Sequence, residues 1–205
     1  MNKIDWKYNA SPGWEQSWNH YFNSYCEATD QIYNSIINSN ATNFLCLPFL
    51  FLMRHSLELG FKTNIYALSK YSMKSYGLDE DNIIKKGHIL PPLQKALTDH
   101  FNELNFSNDK NNSIYKNFYE LNNKLANIVK YFDKIDKDSF AFRYPDNIDG
   151  LNSISSEILI NLKTMKEKYD ESIILLKYMT IVLDDFFEMI DDFKKEYGEE
   201  SAIYY

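Results

Sequence analysis

Glycine and proline are scarce in this chain, six and five among 205 residues. A sandwich or barrel of short strands needs turn chemistry about every 8–12 residues, so the composition argues against an all-β fold. Cysteine is scarcer. Cys26 and Cys46 cannot frame a disulfide-stapled scaffold, and their apolar helical surroundings suit buried free thiols. Long apolar runs are missing too. The longest, Phe44 to Met53, has ten residues, half of the roughly 20 that a spanning helix requires. The opening MNKIDWKYNASPGW has no apolar signal core. These features lead to the expectation of a cytoplasmic protein without membrane contact. Positive charge is in deficit, with 22 Lys and Arg against 29 Asp and Glu and a net charge of −7. That balance disfavours broad attraction to phosphate backbones, although it leaves room for a local basic cleft. No P-loop, G-x-G-x-x-G, G-x-S-x-G or H-E-x-x-H occurs. Asp133, Asp136 and Asp138 lack the glycine and the later glutamate of a calcium loop, and no Cys or His spacing matches a structural zinc site. Neither a metal nor a cofactor is expected.

Aromatics are plentiful: 16 Tyr, 14 Phe and 3 Trp supply large buried area for a real core. Apolar residues recur at three and four, the helical rhythm. After an irregular lead-in over 1–13, a first helix is predicted from Trp14 to Ile37. A second runs from Thr42 to Leu68, with regular hydrogen bonding starting only at Pro48. A loop follows over 69–86. A third helix begins at Pro91-Pro92 and reaches Leu104, a linker spans 105–112, and a fourth helix covers Ser113–Ile135. The alternation Phe140-Ala141-Phe142-Arg143-Tyr144, the turn residues 146–150 and the run Ile158–Ile160 predict a small β-hairpin near 139–160. The last helix runs from Leu162 to Tyr197. At 1.5 Å per residue it spans about 50 Å, so it bends or extends to a partner. The expectation is a mainly α, antiparallel bundle of about five helices in one domain over 14–198, with a tail at 199–205.

The second helix is apolar on every side over its first half, which marks it as central. Arg54, Glu58 and Lys62 lie within it at i, i+4 and i+8 on one stripe, with His55 beside them. Charges among apolar neighbours must be paired or hydrated, because an isolated buried charge costs several kcal/mol. Two readings follow: an internal ion-pair network that fixes packing, or the floor of a functional cleft. Only two of the 22 basic residues are arginines, Arg54 and Arg143. An AT-rich codon bias accounts for that ratio but not for the placement. His88, in GHILPPL, precedes the third helix and can face a neighbour with its ring pinned. Arg143 sits between two aromatics and suits a bidentate contact to phosphate or carboxylate, or pairing with Glu58 or another acid. Tyr144 is held extended before Pro145. His20 and His100 read as helix-surface or edge residues.

The strings FLFLMRHSLELGFK, GHILPPL and DSFAFRYP, in that order, resemble a group of uncharacterised prokaryotic HEPN-like helical proteins. Many of these resemble members of toxin and phage-defence systems. The resemblance covers about residues 44–160. It implies an antiparallel helical bundle, often dimeric, that binds or cuts RNA without a metal. Active members carry Arg-x(4–6)-His on a late helix. This chain has no such pair, and residues 161–205 contain neither Arg nor His. A site here would assemble from Arg54, His55, His88 and Arg143, with a His moving the proton and an Arg meeting phosphorane charge. Glu58, Lys62, Asp138 and Tyr144 would support it. The alternative is a non-catalytic module whose polar network is structural and whose last helix makes a homodimer or docks a protein partner. A weaker alternative is a nucleotide or small-ligand pocket over Arg54, His88 and Arg143.

Overall fold

A computed structural model describes residues 8–39, 41–72, 87–104, 112–147 and 149–197. Most of the expected loop after the second helix, nearly all of the 105–112 linker, the first half of the lead-in and the tail at 199–205 lie outside the described residues. The protein is mainly α, with five helices packed together and a sixth continuing the fifth. The elements are α1 (Trp18–Ser39), α2 (Thr42–Ser69), α3 (Leu90–Asn102), α4 (Ser113–Ile135), α5 (Leu162–Val182) and α6 (Asp184–Tyr197).

Helix α2 is the hub, in contact with α1, α3 and α5, while α4 closes the bundle against α3 and α5. Phe49, Leu50, Met53, Leu57, Phe61, Ile65 and Leu68 of α2 are buried, whereas Phe44 and Leu47 near its start are exposed. By length and composition α2 could also cross a bilayer, but 56% of that stretch is buried inside the bundle. The helix runs straight through Pro48 rather than starting there. Proline leaves one carbonyl of the preceding turn without its amide donor. That turn lies on the surface, where Phe44 is 88% exposed and water can take the donor's place.

Two helix starts follow from asparagine caps. The Asn112 side chain accepts from Ile114 N at 2.8 Å, and Asn161 Oδ1 accepts from Thr164 N at 3.0 Å. The long last helix is interrupted at Leu183, whose φ and ψ are −96° and 1°. Leu183 at the break and Phe187 one turn later are buried, and Tyr71, just past α2, stacks on Phe187 with centroids 4.2 Å apart. Tyr71 Oη also donates to Asp191 Oδ2 at 2.9 Å, so α6 contacts the segment just past α2.

The contact between α2 and α5 is made by Ser56, Gly60 and Asn64, again at i, i+4 and i+8. Ser56 Oγ lies 2.7 Å from Tyr169 Oη, and Asn64 Nδ2 donates to the carbonyl of Leu176 at 2.9 Å. A Cβ on Gly60 would come within 2.8 Å of Phe22 and 2.9 Å of Leu176, so only glycine allows this approach.

The hairpin near 139–160 does not form. Among the described residues there is no strand, only an isolated antiparallel bridge between Asp146 and Asn152. A strand would turn Phe140, Phe142 and Tyr144 to one side. Instead Phe142 is buried while Phe140 and Tyr144 are exposed. The cause is local. Asp136 Oδ1 accepts from the amides of Phe140 and Ala141 at 2.6 and 2.7 Å, and the amides of Arg143 and Tyr144 turn back to the Phe140 carbonyl. Those bonds wind the segment into turns that bring Phe140 and Tyr144, four apart, face to face. Ile158–Ile160 is likewise no strand, with Leu159 wholly exposed.

Candidate functional site

The predicted stripe on α2 is buried: Arg54, Glu58 and Lys62 are 1%, 2% and 3% exposed. Their burial is possible because each charge meets a partner. Arg54 Nε donates to the Asp136 carbonyl at 2.9 Å. Its Nη2 donates to two carbonyls, His88 at 2.7 Å and Lys137 at 3.1 Å. Nη1 lies 3.5 Å from Glu58 Oε2, and Nε lies 3.5 Å from Asp136 Oδ2. Glu58 Oε1 takes Lys62 Nζ at 2.8 Å and His88 Nδ1 at 2.9 Å. The buried ionic set is therefore balanced, Arg54 and Lys62 against Glu58 and Asp136. Lys62 also lies over the Trp18 ring, 5.9 Å from its centroid.

Burial pushes the Arg54 guanidinium below its ordinary value, while the carboxylates of Asp136 and Glu58 pull it back up. For Glu58, burial alone would raise the carboxyl. The hydrogen bond and charge of Lys62, followed by those of His88, outweigh burial and hold it below the ordinary value.

His88 differs from these residues in that its side chain is 57% exposed. A carboxylate has only acceptors to offer, so Nδ1 carries the proton in the bond to Glu58. In the neutral ring Nε2 is then the nitrogen with a free lone pair. A histidine oriented by a buried acid, with more than half of its side chain exposed, is equipped to move a proton.

The other predicted residues divide. His55 stands edge-on to Tyr25, centroids 4.5 Å apart, and lies parallel to Phe51 at 5.5 Å. Burial lowers its pKa, which favours a neutral ring packed among aromatics. Arg143 is exposed. Its Nε donates to the Ser139 carbonyl at 2.7 Å, and the guanidinium carbon lies 5.5 Å from the Tyr144 centroid. Among the described residues no acceptor meets its terminal nitrogens, so the pairing with Glu58 considered from sequence is not made. Asp138 is exposed and takes no part in the network.

The supporting acid is instead Asp136, which sequence reasoning considered only as a calcium ligand and set aside. It ends α4 one residue after the helix's final apolar position, where a side chain still faces the core. His100 was also misread: it is 3% exposed, with Nδ1 2.8 Å from Ser72 Oγ. Arg54 thus gathers three parts of the chain that sequence alone left apart: α2, the residues before α3, and the turn after α4.

Compared with known protein families, curated proteins and solved structures, the chain matches none.

Proposed function

We propose that this chain is a HEPN-like helical module of a prokaryotic defence or toxin system, and that it engages RNA at the solvent edge of the Arg54–Glu58–His88 network. The observation that carries the reading is the 2.9 Å bond from the buried Glu58 carboxylate to Nδ1 of a largely exposed His88. In this reading Nε2 of His88 takes the proton from a ribose 2′-hydroxyl as that oxygen attacks the adjacent phosphorus, or returns one to the departing 5′-oxygen. Arg143, whose terminal nitrogens meet no acceptor among the described residues, meets the charge that builds on the phosphate oxygens. Arg54 acts through the backbone it holds and touches no substrate. His55 and Lys62 are positioning residues within the wall.

The test is incubation of purified protein with tRNA and total RNA, alongside growth of cells expressing it. Cleavage or retention of RNA that is lost in His88→Ala and weakened in Arg143→Ala is expected. Intact, unbound RNA with wild type as harmless as His88→Ala overturns the reading.

A second reading is favoured by the saturation of Arg54, whose three strongest hydrogen bonds all go to backbone carbonyls. Here the network is purely structural, and the chain is a non-catalytic module that forms a homodimer or binds a protein partner. The exposed residues Ile174, Tyr178, Ile181 and Val182 of α5 would supply the contact. Light scattering separates the cases: a monomer at high concentration removes the dimer.

A further inference from the structure

We infer that Phe140, Tyr144 and Arg143 form a subsite for one unpaired nucleotide beside His88, the rings taking the base and the guanidinium its phosphate. The inference rests on the RNA reading above and names the part of the ligand that this corner of the site recognises.

The first support is the state of the rings. Phe140 and Tyr144 are 39% and 48% exposed and stand together as a pair. They lie with centroids 4.4 Å apart and planes 32° from parallel, with Arg143 layered against Tyr144. A pair of rings with an arginine offers a π surface and a cation together, the combination that takes unstacked bases in single-stranded nucleic acid.

The second support is rigidity. Ser139, which opens the turn, has a φ of +60° and is buried. Its carbonyl fixes Nε of Arg143, while Asp136 Oδ1 fixes the amides of Phe140 and Ala141. The shelf is therefore built before a ligand arrives, which lowers the ordering cost of binding. Among the described residues the Arg143 side chain hydrogen-bonds through Nε alone, so both terminal nitrogens can point at a phosphate as a fork.

The third support is placement. One nitrogen, Arg54 Nη2, donates both to the carbonyl of His88 and to that of Lys137, two residues before Ser139. The segment carrying the proton-moving ring and the turn carrying the shelf hang from the same atom. A nucleotide on the shelf is thereby carried by a turn tethered to the same guanidinium as the His88 backbone. A paired base is stacked on both faces within a duplex and cannot lie on the rings, so the subsite selects single strands.

The experiment uses a short single-stranded RNA with one 2-aminopurine, the same strand annealed to its complement, and the same strand with an abasic site. Affinity is read by anisotropy and stacking by 2-aminopurine quenching. Quenching on wild type is expected, with the duplex and the abasic strand binding more weakly. Tyr144→Ala should weaken single-strand binding by roughly five- to 150-fold, the usual span for loss of one base–aromatic stack. Tyr144→Phe should retain both affinity and quenching, and the exposed position keeps either variant folded by circular dichroism. RNA that binds wild type and Tyr144→Ala equally, or duplex that binds as well as single strand, overturns the subsite and leaves the RNA reading standing. Wild type that binds no RNA of any form overturns both.

Discussion

Arg54 Nη2 and the carbonyl oxygen of His88 lie 2.7 Å apart across 34 positions of sequence. The bond runs from the middle of the central helix to the backbone just ahead of α3. It holds that backbone where the His88 ring can turn onto Glu58, one helical turn beyond Arg54. The side chain that most resembles a catalytic cation is thereby a structural clamp, and the proposed function gives the chemistry to the more exposed His88 and Arg143 instead.

Removing the clamp is expected to be costly. Arg54→Ala leaves the carbonyls of His88, Asp136 and Lys137 without this donor and Glu58 and Asp136 with less compensation. A broken buried pair costs about 3–5 kcal/mol. Arg54→Lys keeps the charge but offers a point donor where a planar fork spans three oxygens, and a loss of about 1–3 kcal/mol is expected. Urea unfolding of the three proteins checks both values, and a lysine variant as stable as wild type would contradict the fork geometry.

Gly60→Ala should destabilise, although alanine is worth about 1 kcal/mol over glycine in a helix. The new methyl would stand 2.8 Å from the Phe22 ring and 3.1 Å from Leu176 Cβ, and both residues are buried. Overpacking of this kind costs about 1–3 kcal/mol. The net is a lowered melting temperature, with calorimetry as the check. A raised one would mean that α2 and α5 sit farther apart.

Acid should loosen the protein in two stages. His55 is held below its ordinary 6.5, chiefly by burial. Glu58 is held below 4.5: burial alone would raise it, but Lys62 and then His88 outweigh that. For each group the unfolded chain binds its proton at a higher pH than the native one, so stability rises with pH across the interval. The His55 contribution is complete above pH 6.5 and is lost as pH falls through its depressed folded value. The Glu58 contribution is complete above pH 4.5 and is lost below it. In a series of denaturant midpoints against pH, His55→Phe should flatten the upper slope and Glu58→Gln the lower. Stability that climbs between pH 7 and 5 would contradict the sign.

The helices and the charged stripe were legible in the sequence because their signals are local. Spacing of three and four places α1 to α5, and ionic residues amid apolar ones at 54, 58 and 62 announce a network. The stripe Ser56, Gly60 and Asn64 has the same spacing about 200° round the helix, yet it carries no charge and was passed over. It proves to be the seam with α5. The identity of the partners was not legible. Three of the groups that meet Arg54 are backbone carbonyls, which every residue owns, and the acid is Asp136 rather than the more prominent Asp138. The failed hairpin has a different cause: alternation at 140–144 mimics a strand, while the carboxylate of Asp136, four and five residues earlier, caps two amides and winds the segment into turns.

Glu58 holds the His88 ring through Nδ1, and nitrogen-15 NMR of the imidazole tests this directly, with assignment by the resonances lost in His88→Gln. The expected result for the neutral ring is a proton on Nδ1 and a bare Nε2. A ring protonated mainly on Nε2 would leave no lone pair facing solvent and would contradict the proposed chemistry.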